Sequence, residues 1–330
     1  MLLQTCSKKE DLIDPGAQDL LYQGDAEKWL KLAYGLKARY TMHLLKRSAN
    51  KDADMEKVLE YVDNSFESAE EQAAFDVYDA NNINPLYGFF VARAGLGASE
   101  SMRSKLAEYN DPRLSRAFIT KQGASGKEQA PGTADNAVYA PNGTPEQGTS
   151  KYGTSLFMYS ISAPTLLLSY HELKFLEAEA LCRLERDAKS ALKDAVVAGL
   201  LNAENSFTIS RKELGKTLIN AASSITEAEA ESYFDNTIEA KYTAEPLKTT
   251  MIQKYFALWG ASGEATESYN DVRRMKGLGE NFIELKNPNS FPLRCPYGNS
   301  DTTTNAEVKA AYGNGQYVYS ENVWWAGGSR

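Results

Sequence analysis

Apolar positions three and four residues apart dominate the chain, and they predict helices. After Asp25, the residues Trp29, Leu32, Leu36, Tyr40 and Leu44 form one such stripe. Asp25 is placed to cap that helix, with Glu27 in its first turn and Lys46 and Arg47 near its end, which suits the helix dipole. Met55, Val58, Leu59 and Val62 predict a second helix at about 53–64. Ser99 predicts the cap of a short helix reaching Tyr109, stopped by Asp111-Pro112-Arg113. The strongest pattern runs from Ser162 to Leu184. Ser162 is taken as its cap, Leu166, Tyr170, Leu173, Leu176, Ala180 and Leu184 as its apolar stripe, and Glu172, Lys174, Glu177 and Glu179 as its solvated face. A short connection, Glu185 to Asp187, leads to a partner stripe of Ala188, Ala191, Leu192, Ala195 and Leu200. Two helices joined this tightly form an antiparallel hairpin resembling a tetratricopeptide unit. Thr226 with Glu229 is a capping box for a helix to about 241, and further helices are expected at about 246–259 and 262–275.

Sustained period-two alternation is nearly missing, so the expected class is mostly α with long irregular loops. Residues 1–23 read as an irregular N-terminal segment and 24–330 as one helical domain. Residues 121–155 are rich in Gly, Pro, Thr and Asn and predict a long loop, a place where function often resides.

Composition narrows the function. A net charge of −8, with Lys and Arg scattered among acids, argues against a nucleic-acid partner. The three cysteines, Cys6, Cys182 and Cys295, build no disulfide framework. With only two histidines, His43 and His171, no metal-ligand spacing and no base beside a nucleophile can be found. No catalytic residue, metal or cofactor is therefore expected. Acidic pairs on helices read as charged surfaces before they read as glycosidase carboxylates. The chain has 19 tyrosines, whose flat faces and hydroxyls suit polar ligands with apolar faces, such as sugars.

Five segments, in order, resemble the conserved blocks of the SusD/RagB nutrient-binding outer-membrane lipoproteins of Bacteroidetes. They are Gly24-Asp25-Ala26-Glu27-Lys28-Trp29 with Leu36-Lys37-Ala38-Arg39, then Asp111-Pro112-Arg113-Leu114, then Tyr170 to Ala180. Ile252 to Trp259 with Asp271-Val272-Arg273-Arg274, and Pro292-Leu293-Arg294-Cys295-Pro296-Tyr297, complete the set. The resemblance implies a SusD-like fold and a surface protein without catalytic activity. It implies capture of glycans, or of peptides in the RagB-like case, and delivery to a SusC-like TonB-dependent transporter. A helical-repeat scaffold that contacts only protein partners is the alternative. In the family a further N-terminal region precedes the first block, so the chain resembles the C-terminal part of such a protein. Cys6 before Ser7-Lys8-Lys9 has some likeness to a lipoprotein junction. The blocks themselves, with Trp29, Tyr170, Tyr255, Trp259, Trp324 and Trp325, are expected to be structural. Ligand contacts are expected instead from the loops, at Tyr78, Asn82, Tyr87, Tyr139 and Tyr152.

Overall fold

The computed structural model describes residues 16–93, 96–122, 128–132, 138–144, 151–261 and 263–329. Cys6 lies outside them. The framework is a set of paired helices. α1 (Ala26–His43) and α2 (Lys51–Asp63) form one antiparallel hairpin. The short helices α3 (Pro85–Arg93) and α4 (Glu100–Glu108) follow. α5 (Tyr170–Arg183) and α6 (Lys189–Leu214) form the second hairpin. α7 (Glu227–Tyr233) passes through a π-helical turn at Phe234–Ile238 into α8 (Glu239–Ala244), and α9 (Pro246–Ala257) and α10 (Ala265–Leu278) follow. α11 (Asn299–Thr304) and α12 (Ala306–Tyr312) sit in the C-terminal region.

The cap residues are found where expected, although the Glu229 carboxylate of the expected capping box binds Arg116 instead. The Asp25 carboxylate accepts from the amides of Glu27 and Lys28. Ser99 accepts from Met102 N, and Thr226 from Glu229 N. One prediction fails. Ser162 caps nothing; residues Thr165–Leu168 form strand β5, and Ser169 caps α5 through Glu172 N at 3.0 Å. The extended run breaks the supposed stripe because β5 pairs antiparallel with β1 (Ala73–Phe75). Leu166 and Leu168 still point inward, since alternate strand residues share a face as neatly as residues one helical turn apart. A second small antiparallel sheet joins β2 (Phe118–Gln122), which starts ahead of the span expected to be loop, to β3 (Glu128–Pro131) and β4 (Thr154–Ser155) inside it.

α5 is the hub. It packs on α1 and α2 to one side and on α6 and α9 to the other. Leu173, Leu176 and Ala180 enter one core with Leu32, Met42, Met55 and Val58. Phe175 and Ala178 enter a larger core with Leu192, Phe207, Phe234 and Phe256. Each such fully buried Leu or Phe contributes roughly 1.5–3 kcal/mol.

A helix buried on both sides leaves no room for a solvated face. Glu172 and Glu179, expected in solvent, are in fact fully buried. Each is neutralised by a distant arginine. Glu172 takes Nε of Arg39 at 2.9 Å and a second, shorter bond from Nη2, while Arg39 also donates to Leu167 O. Glu179 takes two bonds from Arg274 and one from Arg183. His171, on the same turn, is buried too. The helix-surface reading fails because partners remote in sequence close over these carboxylates.

Candidate ligand-binding groove

The surface carries a groove of about 840 Å³. It has three walls. α4 presents Ser101, Ser104, Lys105 and Glu108, while its Met102 and Leu106 face the core. α8 and α9 present Lys241, Glu245, Lys248, Ile252 and Tyr255 at helical spacing. The third wall is the segment carrying Phe282, Ile283, Glu284 and Lys286. Asn142 stands at one edge, tied to the α4 cap by a 2.9 Å bond between the Ser99 hydroxyl and its amide oxygen.

The groove mixes aromatic and polar surface. Tyr109 packs edge-on against Phe256 at 5.3 Å and is roofed by the Lys241 ammonium, 4.5 Å above its ring. Burial pushes the Tyr109 phenol up to about 12, so it remains a neutral donor. Tyr255 and Phe282 are half-buried and keep ring surface toward the groove. Burial lifts the Tyr255 phenol as well. Lys248 is bound to Glu245, and Lys286 to Glu284. Lys286 holds the Glu284 carboxyl below its ordinary range. The aromatic rings offer apolar faces, and the serines, Asn142 and the charged rim offer hydrogen bonds.

Neither histidine nor cysteine lines this groove. General acid chemistry needs a carboxyl with a raised pKa. Among the described residues, the carboxyl that burial lifts well above its usual range is Glu264, beside Glu172 and Arg39 in the interior and outside the groove.

A smaller groove of about 480 Å³ lies between residues 67–72, the start of α5 and α6. Tyr170, Val197, Leu201, Asn202 and Asn205 are part of its lining.

None of the five loop residues expected to touch ligand lines either groove; the segments of Tyr139 and Tyr152 lie side by side, with Gly153 N donating to Val138 O at 2.8 Å. The Tyr78 hydroxyl pairs with Thr165 Oγ1 at 2.7 Å. Asn82 is exposed, in a turn whose amides donate to Asp79. Tyr87 donates to Glu213 at 3.1 Å. Tyr139 is buried edge-on against Phe118, with Arg103 over its ring. Tyr152 is buried beneath Lys151. The groove residues Tyr255 and Asn142 escape a sequence reading for different reasons. Tyr255 sits on an apolar stripe and looks like core; Asn142 becomes relevant only through its bond to Ser99, 43 residues away.

Residues 3–297 match the SusD-like family model, described as starch-binding and associating with the outer membrane. The chain belongs to the SusD-like family. It is 66% identical to a SusD/RagB family protein from Bacteroides thetaiotaomicron, with a TM-score of 0.93 over 98% of this chain and 69% of that one. A SusD homologue from Bacteroides fragilis is 19% identical, with a TM-score of 0.71 over 98% of this chain and 72% of that one. A chitin-binding protein is 20% identical, with a TM-score of 0.67 over 93% and 66%. At that identity the last two show a shared fold. No curated protein matches the chain. SusD-like membership bears out the mostly helical fold with tetratricopeptide-like pairs, and it brings a nutrient-binding role at the outer membrane. SusD-like proteins are binding proteins. Among the described residues no helix is long and apolar enough to cross a membrane.

Proposed function

We propose that this SusD-like chain captures oligosaccharides in the groove between α4, α8–α9 and residues 282–286, without turning them over. It would act at the cell surface, as part of a lipid-anchored protein, and hand its cargo to a SusC-like TonB-dependent transporter. One observation carries this reading. The groove joins half-buried aromatic rings, Tyr255 and Phe282, to a rim of serine, asparagine, lysine and glutamate, a combination that suits sugar faces and sugar hydroxyls together. The starch-binding description of the matching family favours glycans over peptides. The five loop residues are proposed to serve other surfaces or packing, with Asn82 and Tyr87 free to make a peripheral contact.

Calorimetric titration of the purified chain with neutral and acidic oligosaccharides, and with peptides, tests the proposal. Saturable binding of an oligosaccharide, weakened by Tyr255→Ala, is the expected result. Binding of peptides alone would overturn the glycan reading, and binding of neither would leave a scaffold that contacts only proteins.

A further inference from the structure

The smaller groove differs from the larger one in charge. The larger groove sets four lysines against four glutamates. The smaller one is lined by four acids, Glu67, Asp194, Glu227 and Glu231, and by one lysine, Lys193. That lysine is already engaged, with its ammonium 2.8 and 2.9 Å from the two carboxylate oxygens of Asp235. Glu67 shares Lys31 with Glu71, and Asp194 stands 3.6 Å from Lys174, which binds Glu177 more closely. Glu227 and Glu231 are exposed, one turn apart on α7, and pair with no cation among the described residues.

The floor of this groove is apolar and its amides are idle. Val197 and Leu201, half-buried on one face of α6, lie with the half-buried ring of Tyr170. Asn202 and Asn205 stand on the same stretch of α6, and their side chains make no hydrogen bond among the described residues. An asparagine amide carries donor and acceptor side by side, as a peptide group does, so it can bind a peptide unit at both. Residues three apart on a helix are about 5–6 Å from one another, close to the roughly 6.5 Å between alternate residues of an extended chain. Asn202 and Asn205 are therefore spaced to take two like-facing peptide units of one strand.

We infer that the smaller groove receives an extended segment of a protein partner in which lysine or arginine flanks an apolar side chain. Glu227 and Glu231 meet the basic side chains, Val197, Leu201 and Tyr170 take the apolar one, and Asn202 and Asn205 hold the backbone. No residue lines both grooves, so the partner segment and a sugar do not compete for the same side chains.

The full chain serves as bait for a displayed library of random peptides, and the enriched peptides are synthesised and titrated by calorimetry. They should carry lysine or arginine beside leucine, valine or an aromatic residue. Glu227→Gln/Glu231→Gln should weaken their binding about fivefold and flatten its dependence on salt, because rim charges contribute modestly and are screened. Asn202→Ala/Asn205→Ala should weaken binding and leave the salt dependence as it is. Unchanged thermal melting shows that both variants fold. Enriched peptides that are acidic or uncharged, peptides that bind parent and variants alike, or a selection that enriches nothing would overturn the inference. An oligosaccharide whose binding is lost in the same variants would overturn it too, by making this a second sugar site. Failure of sugars to bind the larger groove defeats the glycan role alone, since none of the substituted residues lines that groove.

Discussion

Glu179 of α5 and Arg274 of α10 form a fully buried two-point ion pair, with Nη1 to Oε1 at 2.5 Å and Nη2 to Oε2 at 2.8 Å. The pair anchors a longer chain of charges. Arg183 also binds Glu179 and reaches on to Glu280, and Asp271 bridges Arg274 to Lys254. These ties bind α5, α9 and α10 into one unit, which carries one wall of the proposed groove on α9. Arg274→Met should destabilise the fold by about 3 kcal/mol in urea unfolding, because buried Glu179 loses two of its three guanidinium bonds and keeps only Arg183. Removing both charges in Arg274→Met/Glu179→Met should cost less than Arg274→Met alone. Arg183 keeps Glu280 and Asp271 keeps Lys254 in the double variant. A double variant weaker than the single one would show that the pair itself is net stabilising.

His171 predicts a pH effect. Burial depresses its pKa to about 4, and its Nε2 lies 3.7 Å from Glu264 Oε2 with no hydrogen-bond partner for either atom. A depressed histidine pKa means that the unfolded chain takes up the proton first, so stability falls as pH drops from about 6.5 to about 4. The loss amounts to at most about 3 kcal/mol. Glu264 works in the opposite sense: its raised pKa makes the folded chain hold a proton that the unfolded chain releases, so stability falls as pH rises above the ordinary carboxyl range. His171→Gln should remove the first effect and leave the second. Unfolding free energies at pH 7 and pH 4.5 should therefore show the variant losing less on acidification than the parent.

The turn between α5 and α6 offers a stabilising change. Glu185 has φ +56°, in the left-handed region that favours glycine. Around it, Arg186 N bonds to Leu181 O and Glu185 N to Cys182 O, the double bond pattern that closes many helix ends. Glu185→Gly should raise stability by about 0.5–1 kcal/mol, visible as a higher melting temperature.

Gly263 predicts the reverse. Its φ is +92°, and an added Cβ would fall 2.2 Å from the Leu166 carbonyl oxygen of β5. Backbone cannot yield as a side-chain tip can. Gly263→Ala should cost about 2 kcal/mol or more by chemical denaturation, since strain and overlap add.

Local features were readable from the chain, and non-local ones were not. The caps at Asp25, Ser99 and Thr226 depend on residues two or three positions away, so a sequence shows them. The charged residues of the family-like blocks look like polar decoration. In the fold Arg39, Asp111, Arg113, Glu172, Glu179, Lys254, Asp271 and Arg274 are all buried. Their partners explain why that was hidden: Arg39 meets Glu172 across 133 positions, and Arg274 meets Glu179 across 95. The groove was less legible still. Its walls come from three separate stretches, and its residues are ordinary helical serines, lysines and glutamates until α4 and α9 are set side by side. The tyrosines that stood out in loops, Tyr139 and Tyr152, turned inward, because an aromatic ring in a polar stretch is often the apolar anchor that pins that stretch to the core.

The most direct measurement is a crystal structure of the chain grown with the oligosaccharide that titrates most tightly. An ordered sugar in the groove is predicted, with a ring face against Tyr255 or Phe282 and polar contacts to Ser101, Lys105 or Asn142. A sugar ordered on another face, with this groove left open, would contradict the assignment.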